Sequence, residues 1–365
     1  MIAMSKHKCS NKVERVSRGL LELARTRGPG IKLPTFQELC RQFSVSRTTL
    51  ERALEPLERR GLLSRRQGSG IYVEPAIRLK TVGVAFGGDI FGEQFSPFWR
   101  LLLESSRAQV GQRPLTARAY LDVENTKGGL GGHTQLLEDL EFRRLDGLLI
   151  FAPPSDTEIG RWLDGFGVPR VSLGAWGSPW HVLFDVRRFA RLAAEVLAGR
   201  PLRRIALLGH GIMSDQALIA ESLHAVGLGD VELDDWSYET WSPRIPEAGS
   251  HEHCAYETAR RRIADRALTP LPDAIISMED TMTRGVSFAL QEAGLQPGGD
   301  RPIVTIENRG SMVLCPFAPR LNRVVFDPAA IVKAALDMLE CLMEGGTPER
   351  NPTWIPPEGL LPAEP

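Results

Sequence analysis

Arg47, Thr48, Thr49 and Arg52, followed further on by Arg65, Arg66 and Gln67 ahead of Gly68 and Gly70, are the residues whose types and spacing could do chemistry. The chemistry is recognition of a polyanion. A guanidinium offers a planar fork of donors that matches guanine N7 and O6, or a phosphate. Threonine hydroxyls can reach base edges or backbone. Glycines near cations let a main chain approach a phosphate or a groove closely.

These side chains need elements to hold them. Val13, Val16, Leu20, Leu21 and Leu23 give residues 12–26 a broad apolar stripe, which predicts a helix. Gly28, Pro29, Gly30 and Pro34 break it. Thr35 with Glu38 three residues on has capping-box spacing. The helix it opens, FQELCRQF, is expected to turn Phe36, Leu39, Cys40 and Phe43 inward. Ser46 can cap a third helix over 47–60, with Leu50, Ala53, Leu54 and Leu57 buried and Gly61 as terminator. Two helices joined by a tight turn make a helix-turn-helix, whose second helix meets bases with its N-terminal residues. Leu62–Leu63 and Ile71–Val73 then read as two short strands, with Arg65, Arg66 and Gln67 near the tip of the ribbon they form.

Charge supports this division. Residues 1–80 carry 17 lysines and arginines against seven acids, a net of +10, while the whole chain stands at -1, so the remainder carries −11. A basic head on an acidic body points to a nucleic-acid partner for the head alone. The expected boundaries are a head at 1–74, a linker at 75–80 and a body at 81–365.

The body alternates strand and helix patterns: 81–87, 115–123, 146–154, 168–175 and 203–209 as strands, with helices between. Apolar runs such as IALL and AIIS suit parallel strands covered on both faces. The order predicts an α/β body of doubly wound parallel sheets, long enough for two lobes. It holds no GxGxxG between strand and helix, no GxxxxGK[ST] and no GxSxG, so the chain is not expected to be an enzyme or to need a cofactor. HEHC at 251–254 offers possible metal ligands without a partner cluster, so no metal site is expected. The five cysteines are scattered and odd in number, which argues against a disulfide framework. No apolar run reaches the ~18 residues of a membrane span, and MIAMSKHKCS lacks a signal-type apolar core, so the expected location is cytoplasmic.

Residues 33–73, LPTFQELCRQFSVSRTTLERALEPLERRGLLSRRQGSGIYV, resemble the winged helix-turn-helix of GntR-type bacterial regulators. The resemblance implies that Arg47 and Thr49 face operator DNA and that Gly68 and Gly70 shape the wing. With the helix and ribbon read above, the expected DNA-binding set is Thr35, Ser46, Arg47, Thr48, Thr49, Arg52, Arg65, Arg66, Gln67, Gly68 and Gly70. The family usually has arginine where this chain has Glu51. The body resembles the periplasmic-binding-protein-like effector domain of LacI/GalR-type repressors. It does so through TVGVAF, LDGLLIFAPP, VPRVSLG, HVLFDVRRFARLAAEVLAGRPLRRIALLG, DAIISMEDTMTRGVSFALQEAGL and LNRVVFDPAAIVKAALDMLECLMEGG. The combination is that of arabinose-type repressors. It implies a homodimer on a two-fold operator, and a sugar or related polyol between two lobes. The implied effector residues are Asp89, Phe98, Trp99, Trp176, Asp185, Glu279, Asp280 and Glu307. A rival body, an aminotransferase behind a GntR head, needs a pyridoxal lysine, and Lys333 is the only lysine after Lys127.

Overall fold

The computed structural model describes residues 2–87, 90, 96–121, 133–151, 158–174, 178–209, 216–236, 250–265, 270–299 and 301–364. The head comprises α1 (Ile2–Arg27), α2 (Phe36–Phe43), α3 (Arg47–Arg59), β1 (Leu63–Arg66) and β2 (Gly70–Val73). Local signals set its turns. Thr35 and Glu38 cap each other's backbone at the start of α2, and Ser44 ends that helix in the left-handed region at φ 53°. The Ser46 side chain accepts from the Thr49 N–H to start α3. Gly61, at φ 65°, lets the chain turn back into the wing. Val16, Leu20, Ala24, Leu39, Leu50, Leu54, Leu57, Ile71 and Val73 form the head's core. Pro75–Arg78 winds into a 3-10 turn whose Ile77 enters that core, so the chain leaving the head stays attached to it.

The first lobe contains β3 (Lys80–Phe86), α4 (Phe98–Val110), β4 (Leu115–Tyr120), α5 (Thr134–Glu141), β5 (Gly147–Phe151), α6 (Glu158–Asp164), β6 (Arg170–Leu173) and β7 (His181–Phe184). The second contains α7 (Val186–Leu197), β8 (Arg204–Leu208), α8 (Gln216–Ala225), β9 (Glu232–Asp235), α9 (His251–Ala264), β10 (Ala274–Ser277), α10 (Asp280–Glu292), β11 (Ile303–Asn308) and β12 (Asn322–Phe326). The chain then returns through α11 (Pro328–Met343) and β13 (Thr353–Ile355) to the first lobe and ends with β14 (Gly359–Leu361) in the second.

The two sheets run β13-β7-β6-β5-β3-β4 and β14-β12-β11-β10-β8-β9, parallel throughout except for the edge strand β14. The fold class read from the sequence is the one observed. Strand periodicity explains the continuous apolar runs. In β5, Leu149 and Phe151 join the core under α4 and α11, while Leu148 and Ile150 join the core that holds Leu136, Leu140 and Leu163. In β8, Ile205 and Leu207 face α7 and α8, and Ala206 and Leu208 face α9 and α10. Helices α9 and α10 approach so closely that a Cβ on Gly285 would lie 2.1 Å from the Glu252 carbonyl oxygen.

The lobes are joined at three crossings. Phe184 passes to α7, Phe326 to α11, and Ile355 to β14. Asp185 and Asp327 cap the helices at the first two. The Asp185 N–H donates to the Ile355 carbonyl at 2.9 Å, tying the first crossing to the third.

The head rests on the first lobe. Arg25 of α1 donates both Nη atoms to the two Asp146 oxygens at 3.0 Å, and the Thr81 N–H donates to the same carboxylate at 2.7 Å. Arg60 donates to Thr81 Oγ1 at 3.1 Å. Arg144 bridges Glu14 of α1, at 2.9 Å, to the buried carboxylate of Asp139, at 3.0 Å. Asp139 also accepts from Arg118 at 2.5 Å and from the Tyr120 hydroxyl at 2.6 Å. Burial opposes its charge, but the hydrogen bonds from Tyr120, Arg118 and Arg144 outweigh burial and hold the carboxyl below its usual range.

Candidate nucleic-acid interface and interlobe cleft

Helix α3 presents Arg47, Thr48 and Arg52 to solvent, with Thr49 half-buried beside them. Arg47 keeps 79% of its side chain exposed although its Nε donates to Glu51 Oε1 at 3.1 Å. The Ser46 hydroxyl is shared with Thr49, at 3.3 Å from its N–H and 2.9 Å from its Oγ1. Thr35 is engaged likewise, with Glu38 Oε2 accepting from its N–H at 2.7 Å and from its hydroxyl at 2.8 Å. Capping therefore occupies the side chains of Ser46 and Thr35. What α3 offers a ligand freely is the donor fork of Arg47 and the exposed Thr48 and Arg52.

In the wing, Arg65 donates twice to Glu58, at 2.5 and 2.7 Å, and Arg66 lies 4.3 Å above the ring of Tyr72. Gln67 and Gly68 are exposed at the tip. Gly68 adopts φ 71° and Gly70 φ 127°, and a Cβ on Gly70 would meet the Lys32 side chain at 2.6 Å. Both conformations favour glycine.

The structure also places residues that sequence periodicity assigned otherwise or passed over. Phe36, expected inside, packs against the head's core but is half-buried, and its ring also lies 5.5 Å from the Arg47 guanidinium and 5.9 Å from that of Arg65. Glu58 and Tyr72 hold wing arginines.

Among the residues expected at the cleft, Asp89 and Trp176 lie outside the described residues. Phe98 begins α4 and is buried, with Trp99 half-buried beside it at a centroid distance of 5.1 Å. Phe98 continues to Phe184 at 5.4 Å, and Phe184 to Phe326 at 5.0 Å, so one aromatic file runs from α4 through two of the three crossings. Asp185 is committed to its capping bond with the Arg188 N–H at 3.0 Å.

In the second lobe, Glu279 and Asp280 follow β10, and Glu307 and Asn308 end β11. Glu279 is buried and sits 2.6 Å from His251 Nδ1. Thus the first histidine of HEHC meets a carboxylate, and among the described residues no cluster suited to a metal occurs. Asp280 is 1% exposed and accepts from Asn308 Nδ2 at 3.3 Å. Burial, with the Glu279 charge beside it, pushes its carboxyl up to about 6. Glu307 is paired with Arg323 on the neighbouring strand at 2.8 Å. The structure therefore gathers Glu279, Asp280 and Asn308 at one corner of the second lobe and sets Phe98 and Trp99 in the first. Asn308, Arg323, Phe184 and Phe326 carried no local signal, because each is defined by a partner distant in sequence, and the local signal at His251 pointed to a metal rather than to Glu279.

Residues 19–73 match the model of the bacterial regulatory proteins of the gntR family, and residues 194–362 match that of the periplasmic binding protein-like domain. The chain is a GntR-type winged helix on a periplasmic-binding-protein-like body. The GntR-type head therefore spans the recognition helix and wing described above, and the second match covers the second lobe and the returning segments. An arabinose metabolism transcriptional repressor of Geobacillus stearothermophilus is 30% identical over 127 residues, 33% of this chain and 32% of that protein. The uncharacterized HTH-type transcriptional regulator YurK of Bacillus subtilis (strain 168) is 40% identical over 57 residues, 15% of this chain and 24% of that protein. The chain thus spans about a third or less of these relatives' lengths. Among solved structures, a regulatory protein of LacI family from Chloroflexus aggregans has a TM-score of 0.60 at 21% identity, covering 78% of this chain and 97% of that one. A LacI family regulator from Arthrobacter sp. FB24 in complex with lactose has a TM-score of 0.58 at 18% identity, with 78% and 98% covered. The Lac repressor dimer bound to operator and the anti-inducer ONPF has 0.59 at 17%, with 78% and 92% covered. These likenesses show the LacI-type fold of the body. Among the described residues no helix is long and apolar enough to cross a membrane.

Neutralising Arg65 and Arg66 as glutamines should flatten the dependence of DNA binding on salt. Each lost phosphate contact lowers the slope of log affinity against log salt by about 0.9. Anisotropy titrations on a random-sequence duplex across a salt series give this slope directly. A slope equal to that of the wild type would take the wing off the phosphate backbone.

Proposed function

We propose that this protein is a DNA-binding transcriptional regulator, a repressor acting as a homodimer on a two-fold operator and answering to a small sugar-like effector. The observation that carries the reading is the common surface of the head: the exposed N-terminal side chains of α3 and the wing arginines in a segment, residues 1–80, of net charge +10, with caps fixing the backbone between them. The N-terminal residues of a recognition helix read the major groove, and a wing beside it contacts backbone or minor groove. Thr48, Arg47 and Arg52 read bases in this scheme; Arg65, Arg66 and Gln67, turned by Gly68 and Gly70, flank them.

The body supplies the control. Among the described residues the chain passes between the lobes at three crossings, so a ligand gripped from both sides would favour one lobe arrangement over another by its differential affinity. Aromatic faces such as Phe98 and Trp99 and carboxylates such as Glu279 and Asp280 suit a polyol, whose ring stacks and whose hydroxyls donate. Asp89, Trp176, Asp185 and Glu307 complete the proposed set, Asp185 by fixing a crossing and Glu307 through its pairing with Arg323. The lactose-bound neighbour supports the ligand class and the operator-bound Lac repressor dimer supports the assembly.

The test uses the full chain. Selection from a randomised duplex library should enrich a two-fold sequence. A thermal-shift panel of pentoses, hexoses, deoxysugars, sugar phosphates and nucleosides should contain a stabilising ligand. At ~100 times its dissociation constant such a ligand adds ~2.7 kcal/mol. No enriched sequence would remove the DNA-binding reading, and no shift across the panel would remove the sugar-like effector.

A further inference from the structure

We propose that Phe36 is a positioning residue for DNA reading, a shared aromatic shelf that sets the recognition-helix arginine and the wing arginine in fixed relation. The inference rests on the DNA-binding reading given above and names how that surface is organised.

Phe36 is the first residue of α2, directly after the Thr35 cap, and helical spacing assigns it to the core with Leu39. Leu39 is fully buried; Phe36 packs one side on the same core and leaves the rest of its ring to its neighbours at the surface. Its ring carries the Arg47 guanidinium at 5.5 Å and the Arg65 guanidinium at 5.9 Å. A second contact steadies each cation: Glu51 takes Arg47 Nε at 3.1 Å, and Glu58 takes Arg65 Nε and Nη2 at 2.5 and 2.7 Å. Arg47 and Arg65 come from α3 and β1, so the ring is where the two DNA-facing elements of the head meet. Arg66 repeats the arrangement on Tyr72.

An arginine side chain loses much rotamer freedom when it binds, and ordering it beforehand reduces that loss. Arg47 has most of its surface open to solvent, and the carboxylate holds only Nε, so the ring and Glu51 can orient it while leaving its terminal amino groups available. Glu51, standing where the resembled family usually has arginine, then serves as a brace for Arg47.

The experiment compares full-length wild type, Phe36→Leu, Phe36→Met and Phe36→Trp. The probes are a duplex enriched by the wild type from a randomised library and a random-sequence duplex. Leucine and methionine keep an apolar side chain; tryptophan keeps the π face. Leucine should weaken the enriched duplex about three- to tenfold, weaken the random duplex less, and flatten the preference at one base pair of each half-site. Tryptophan should remain within about twofold of wild type on both, because cation–π attraction is strongest on its ring. The leucine melting temperature should stay near that of the wild type; if leucine does not fold, methionine carries the same expectation. Equal affinities and base preference for leucine and wild type would overturn the shelf. So would equal proportional losses on both duplexes, or tryptophan failing alongside leucine, since either marks a packing role. A wild type that enriches no sequence overturns the DNA-binding reading itself, a result distinct from the others.

Discussion

Replacing Arg47 by alanine should weaken binding of the full-length protein to its enriched duplex by about 2–6 kcal/mol. A bidentate arginine-guanine pair contributes about 1–3 kcal/mol of discrimination, and a homodimer loses one such reader at each half-site. The two sites are far apart, so the losses add. On a random duplex the change should be much smaller, because that binding comes mainly from phosphates. Lysine should not rescue, since it lacks the planar fork. Competition titration of the two duplexes measures this. An equal loss on both would place Arg47 on the phosphate backbone, and no loss on either would remove α3 from the major groove.

The second large effect is on stability. Asp139→Ala should destabilise the first lobe by about 3 kcal/mol, the low end of the range for breaking a buried ion pair. The low end applies because Arg118 and Arg144 keep 30% and 33% of their side chains exposed and can turn toward water. Tyr120, 3% exposed, cannot, and its hydroxyl is left without an acceptor. The pH dependence has a definite sign. A carboxyl held below its ordinary value contributes stability above that value and loses it as pH falls through the folded one. The gap between wild type and variant should therefore persist at neutral pH and shrink below about pH 4. Urea denaturation followed by tryptophan fluorescence at several pH values reads the gap. A variant as stable as wild type at pH 7 would mean that the surrounding cations do not depend on this carboxylate.

Much of the fold is legible in the sequence. The capping box at Thr35, the Ser46 cap and Gly61 fix α2, α3 and the turn into the wing almost to the residue, because each acts through bonds within a few positions. The runs IALL and AIIS mark strands buried on both faces. Where tertiary pairing decides, local reading ends. Thr353–Ile355 and Gly359–Leu361 sit among prolines and become strands only because β7 and β12 provide their partners. Helix α1 extends well ahead of the stripe that begins at Val13, since its earlier residues include no breaker. The candidate sites divide in the same way. Arg47 and Arg65 are visible as donors, but no spacing rule brings both to the ring of Phe36. HEHC reads as a possible ligand set, yet His251 meets Glu279 across two helices.

The contacts of Arg25 with Asp146 and of Arg144 with Glu14 and Asp139 have a consequence for promoter architecture. In the regulator proposed above, a head held to its lobe by these contacts would turn less freely to follow a half-site that has moved. Inserting one base pair between half-sites turns one of them by about a tenth of a revolution around the duplex. Each head of a dimer built this way would meet its half-site at only one rotational phase. Under the proposed function, the operators it binds would then share the interval between half-sites more strictly than the bases within them.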